Sequence, residues 1–258
     1  MSVAACAELV ERGDPDRFRS VLAAPAGARP DLMTLYAFNV EVTRAPWVTQ
    51  EPVIAEMRIQ WWIDTLDEIA AGQTPRAHEV AAPLAGTIRA HGLDTALLAA
   101  IAEARRADID GTPPEDAAAL SAYIDATGGN LMWAAAQVLG ADAMAEPVVR
   151  DFAWGAGLAA YLRAIPELEA RGHRPLPDGR PEAVARLAAE GLSRLSRARA
   201  QRGRVAPGAA AALLAGWRAD ATLRAAARRP DLVKAGSLPE SEFRKRGALA
   251  FRALTGRW

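Results

Sequence analysis

Helix-forming residues at helical spacing, interrupted by Gly and Pro, constrain this chain more than any other feature. Alanine, leucine, arginine and glutamate dominate, and these are the better helix formers. β-branched runs of period two are missing, which argues against sheets. The pattern predicts helices over Val3–Arg12, Asp16–Leu22, Leu32–Arg44, Glu51–Ala71, His78–His91, Leu93–Asp108, Ala117–Leu139, Ala145–Ala170, Arg180–Ala200, Pro207–Ala227 and Glu240–Thr255. Asp14, Pro15 and Asp16 cap the second helix, Asp31 caps the third, and Pro46 ends it. No Ser/Gly-rich linker or fixed repeat divides these pieces. With 258 residues the chain can bury a sizeable core, so one all-α domain over residues 1–258 is the economical reading.

Composition excludes several classes of function. A chain 51% hydrophobic and 24% charged is globular rather than disordered. Cys6 is the only cysteine, and His78, His91 and His173 lie far apart. No intrachain disulfide and no zinc site built mainly on His and Cys is expected. No run of 18 or more uncharged apolar residues occurs, and the first residues become charged too soon for a signal peptide. A cytoplasmic protein, possible peripheral membrane contact aside, is the expectation.

The net charge of zero hides an asymmetry. Residues 1–190 carry 27 acidic and 16 basic side chains, and residues 191–258 carry 4 and 15. The basic region, 194–257, contains Arg194, Arg197, Arg199, Arg202 and Arg204, then Arg244, Lys245 and Arg246. Its first reading is a solvated face paired with the acidic part of the chain. Its second is contact with an anionic membrane. No motif supports nucleic acid as a partner.

Three segments carry candidate chemistry: Leu32–Trp47 (LMTLYAFNVEVTRAPW), Met57–Gly72 (MRIQWWIDTLDEIAAG), and Tyr123 through Pro177 with its TGGN helix start at Thr127–Asn130. Together with the opening DPDRFRSVLAAPAGARPDLMTLYAFN, the Leu162–Arg163 pair and the Gly172–Pro177 stretch, they resemble the squalene/phytoene synthase family. The resemblance covers most of the chain and rests on the order and spacing of the pieces. It implies an all-α isoprenoid (terpenoid) synthase helical bundle around a central cavity. Family enzymes join two prenyl diphosphates. Mg²⁺ held by carboxylates on two facing helices neutralises the departing diphosphate, and apolar walls shield the carbocation.

The sequence departs from the family where that chemistry resides. The first aspartate-rich motif reads Thr43, Arg44 and Trp47, and no aspartate occurs between Asp31 and Asp64. An arginine repels Mg²⁺. In the second motif Ala164 follows Arg163, and only Glu167 keeps a carboxylate in register. Pro166 is expected to bend or break that helix, and Gly157 and Ala160 replace the family's amides one to two turns earlier. Asp64, Asp67 and Glu68 read as a solvated acidic face, and Asp108 with Asp110 as a helix end. The Tyr36–Glu41, Met57–Trp61 and Leu162–Pro166 runs are similar to a branch of the superfamily that lacks the aspartates and serves in assembly of mitochondrial complex I.

Tyr36, Glu41, Arg44, Asn130, Arg163 and Glu167 are therefore the candidate cavity or anion-binding residues. Glu41 can pair with Arg44 at i,i+3, and Arg163 with Glu167 or Glu41. Facing an open cavity instead, Arg44 and Arg163 can hold a phosphate without metal. Trp61 and Trp62 put at least one ring in the core, and Trp133 and Trp154 can fill a pocket that no prenyl chain needs. The preferred reading is a non-catalytic binding or assembly factor, or a binder of a prenyl or other lipid, with no cofactor. The alternative is an active prenyltransferase condensing two prenyl diphosphates, which alone requires Mg²⁺.

Overall fold

In the computed structural model residues 3–238 and 242–258 are described, without the side chains of 242–246 and 248. The centre is a helix, α3 (Arg29–Arg44), in which every residue from Leu32 to Val40 is buried. A helix apolar on all sides belongs inside a bundle. Preceding it are α1 (Val3–Gly13), packed along α3, and α2 (Pro15–Leu22). The chain continues through α4 (Pro52–Ala70), α5 (Ala81–His91), α6 (Thr95–Ala104), the single turn α7 (Ala107–Asp110) and α8 (Ala117–Ile124). A π-helical turn, Asp125–Gly129, joins α8 directly to α9 (Asn130–Val138). Then come the long α10 (Glu146–Ala170), α11 (Pro181–Ala200), a 3-10 segment at Ala209–Gly216, α12 (Ala219–Arg228), the short α13 (Asp231–Lys234) and α14 (Glu242–Thr255). No strand occurs among the described residues. The fold is all-α, and one contiguous apolar core runs from α1 to Trp258.

Local chemistry explains several boundaries. Asp14 caps α2 by accepting from the Arg17 amide at 3.0 Å, and Asp94 and Asp116 cap α6 and α8 in the same way. Asp31 departs from its expected role, because α3 already begins at Arg29. Its carboxylate instead accepts from Thr87 Oγ1 at 2.8 Å and lies 3.0 Å from His91 Nε2, tying α3 to α5. The helix expected over 93–108 breaks between α6 and α7, and the one over 117–139 winds through the π turn. Pro166 does not end its helix: α10 continues to Ala170. The lost amide bond and ring clash, costly in an isolated helix, are borne here by a helix packed along α11.

Two close approaches need glycine. A Cβ on Gly157 would lie 2.9 Å from Ile124 Cγ2, and one on Gly128 would lie 3.3 Å from the Gly157 Cα, so α10 and the π turn meet backbone to backbone. Likewise a Cβ on Gly155 would sit 3.0 Å from the Gly191 carbonyl oxygen, where α10 meets α11.

Candidate ligand cavity

Where α2, α3, the π turn and α10 converge, a cavity of about 240 Å³ opens. Helix α3 contributes Thr43 and Arg44, and α10 contributes Gly157, Ala160 and Ala164. These are the positions of both expected metal motifs, so the two faces do meet across one cavity, with neutral or cationic side chains in place of carboxylates. Asp14, Arg17, Arg105 and Tyr123 complete the polar wall. An adjoining lobe of about 90 Å³ adds Asp16, Tyr36, Arg163 and Arg218. Five arginines and two aspartates line the two lobes, so the interior is cationic.

The aspartates are committed. Asp14 pairs with Arg17. Asp16 lies 2.5 Å from Arg218 and 3.9 Å from Arg163. Mg²⁺ demands several oxygen ligands in near-octahedral array. Thr43, Arg44 and Ala164, with two arginine-bound aspartates, do not offer them. Among the described residues no group of three or more His, Cys, Asp or Glu converges to hold a metal ion. The donor set does not fit Mg²⁺.

It fits an oxyanion better. The Thr43 hydroxyl and the Arg105 Nε are buried and have no hydrogen-bond partner, and both residues line the cavity. Buried polar groups are ordinarily satisfied. Arg105 is fixed by its other nitrogens: Nη1 donates to Tyr123 Oη at 2.6 Å and to Asp108 at 3.2 Å. Tyr123 in turn donates to Asp108 at 2.9 Å. Burial opposes the charge on Arg105, but Tyr123 and Asp108 more than offset it, and its pKa lies above the ordinary value. Burial likewise pushes Tyr123 up despite Arg105, and Tyr36 up to about 12 despite Arg17. Both phenols remain neutral donors at neutral pH.

Several expected cavity residues lie elsewhere. Glu41 does not pair with Arg44. It lines a separate groove with Met57, Arg58, Trp61, Trp62 and His78, because its position on α3 faces α4 rather than α10. Asn130 binds outward, donating to the Leu97 carbonyl at 3.3 Å and accepting from Arg150 at 3.0 Å. Glu167 is exposed and pairs with Arg171 at 2.6 Å, not with Arg163. Arg163 reaches Asp16 instead, because its side chain points toward α2. Arg44 and Arg163 consequently line different lobes. Trp47, at the third motif position, lies under the Arg171 guanidinium at 4.8 Å and packs on His173 at 5.0 Å.

Arg105 and Arg17 are not among the expected site residues, and Asp108, expected at a helix end, instead holds Arg105 and Tyr123. The i,i+3 spacing of Arg105 and Asp108 was a visible signal, but only the fold brings Tyr123 to them. Asp64 and Glu68 are held by Gln60 and Arg76. Trp62, Trp133 and Trp154 are core residues, and Trp154 Nε1 donates to Ser121 at 2.9 Å.

A helical bundle whose third and tenth helices face each other across a cavity at two motif positions has the architecture of the terpenoid synthases. The profile described as "Squalene/phytoene synthase" matches residues 10–180, and the chain belongs to that family. It is 29% identical over 162 residues to "NADH dehydrogenase (ubiquinone) complex I, assembly factor 6" of Bos taurus, covering 62% of this chain and 48% of that protein. The Homo sapiens protein of that name is 28% identical with the same coverage. The Drosophila melanogaster homolog is 30% identical over 171 residues, 62% of this chain and 50% of its own length. The chain thus spans about half the length of these curated relatives. Among solved structures, a dehydrosqualene synthase crystallised in complex with ligand superposes with a TM-score of 0.77 at 14% identity, covering 99% of this chain and 97% of that one. Squalene synthase HpnC from Alicyclobacillus acidocaldarius superposes with a TM-score of 0.72 at 19% identity, covering 92% and 95%. At these identities the superpositions show the fold alone. No helix among the described residues is long and apolar enough to cross a membrane.

Proposed function

We propose that this chain is a non-catalytic member of its family, acting by binding a protein partner in complex assembly, as its relatives named complex I assembly factor 6 suggest. Its cavity, in this reading, holds the phosphate head of a prenyl or other lipid ligand without metal or other cofactor. One observation carries the proposal. The cavity's two facing motif positions offer Thr43, Arg44 and Ala164, and two residues lining it, Thr43 and Arg105, carry buried donors without a hydrogen-bond partner. Arginines suit such a head because they bind phosphate through paired N–H donors without a bridging ion.

Incubation of the pure protein with farnesyl and geranylgeranyl diphosphate plus Mg²⁺ tests this. No pyrophosphate release above background is expected, and release above background overturns the non-catalytic reading.

A further inference from the structure

We propose that the corner formed by the end of α3 and the first turns of α4 docks on an anionic membrane surface. Four large apolar side chains stand exposed within ten residues: Val48 at 44%, Val53 at 69%, Ile54 at 46% and Met57 at 66%. Val53 and Met57 are one helical turn apart, and Ile54 lies beside them. The opposite side of α4 is spent on the core, with Ala55, Ile59, Trp62 and Leu66 buried. The outward stripe is therefore not an incidental part of an internal face. Clustered exposed apolar residues mark interaction sites, unlike scattered single ones.

Charge selects the occupant. Arg44 and Arg58 flank the stripe, both exposed and both without a carboxylate partner among the described residues. Of the nearby acids, Glu56 is bound to Arg106, Glu41 is half-buried in the groove beside Arg58, and only Glu51 is fully exposed. Half-buried Trp61 borders the same groove, and an amphipathic indole suits the headgroup level of a bilayer. Protruding aliphatic side chains beside unpaired arginines and a tryptophan are the signature of an interfacial segment. Val53 and Met57, each more than half exposed, project from α4 and enter lipid more readily than they fit a preformed protein pocket. Arg44, at this corner, also lines the cavity. Docking at this corner goes beyond the assembly reading and does not depend on it.

Flotation with vesicles of equal parts phosphatidylcholine and phosphatidylglycerol, against pure phosphatidylcholine, tests the proposal. The protein is expected to float with the anionic vesicles only, and less at high salt. The neutral variant V53S/M57S is expected to weaken binding about tenfold or more, and R58Q to weaken it less and to reduce its salt dependence. The control F251E/L254E alters the exposed apolar pair on α14 and is expected to bind as the parent does. All these positions are exposed, so circular dichroism should show unchanged folding. Failure of the parent to float with anionic vesicles overturns the proposal, as does unchanged binding by V53S/M57S or loss only in F251E/L254E. Self-association that disappears in V53S/M57S, without vesicle binding, makes the corner a protein interface and also overturns it.

Discussion

The Thr43 hydroxyl, at a position where the family resemblance implies a metal-binding carboxylate, has no partner. A buried unpaired hydroxyl costs about 1–3 kcal/mol, so Thr43→Val, nearly isosteric, is expected to raise stability by about 1 kcal/mol in ligand-free protein. Denaturant unfolding measures this, and a loss of stability would show that the hydroxyl is already satisfied. The same substitution is expected to weaken binding of a phosphate-bearing ligand. This much of the site was legible in the sequence, because the motif register alone identifies Thr43, Arg44 and Ala164. Arg105 was not legible as a site residue, since its connection to Tyr123 spans a helix break that no local pattern records. Glu41 and Asn130 were misplaced for a related reason. Helical register assigns a face to a residue but does not say which neighbour covers that face, and here α4 covers Glu41 and Arg150 claims Asn130.

Helices α11, α12 and α14 are joined by one carboxylate. Asp220 lies 2.6 Å from Arg199 and 3.0 Å from Arg252. Arg199 also donates to the Trp258 carbonyl at 2.7 Å, whose ring packs on Phe152 at 5.0 Å. Burial pushes the Asp220 carboxyl up, but Arg199 and Arg252 outweigh it and hold its pKa below the ordinary value. A carboxyl depressed by folding contributes stability that is fully present above its unfolded pKa near 3.9 and lost as pH falls through the lower folded value. Asp220→Asn is expected to cost about 2–4 kcal/mol at neutral pH. Relative to the parent, it should lose less stability when pH is lowered below about 4. Thermal unfolding at several pH values checks both, and equal acid sensitivity of the two proteins would contradict the assignment. Close helix contact gives a second expectation. Gly155→Ala forces Leu195 and the Gly191 carbonyl away and should destabilise by about 1–3 kcal/mol, whereas Gly27→Ala, with open space around it, should not.

Across the whole molecule, the charge asymmetry of the sequence becomes contact between its halves. Arg218 binds Asp16, and Arg197 binds Asp151 at 3.0 Å, so part of the basic region is consumed by the acidic one. Arg194 pairs locally with Glu190 and Arg199 with Asp220. The side chains of Arg244, Lys245 and Arg246 lie outside the described residues. The all-α class followed from composition and helix stops, because both act locally. What composition could not convey is that so many arginines gather inside. Arg17, Arg105 and Arg218 reach the cavity from three different elements, and only tertiary packing brings them together. Arginines and a threonine line the cavity at positions where the family resemblance implies metal-binding carboxylates, so a phosphate-bearing ligand is expected to bind there without metal. The most direct test is calorimetric titration with inorganic pyrophosphate, in chelator and then in excess Mg²⁺. Binding is expected in chelator, and it should weaken at least tenfold when Arg44 and Arg105 are both replaced by glutamine. Binding that appears only with Mg²⁺, or that the double variant leaves unchanged, would contradict it.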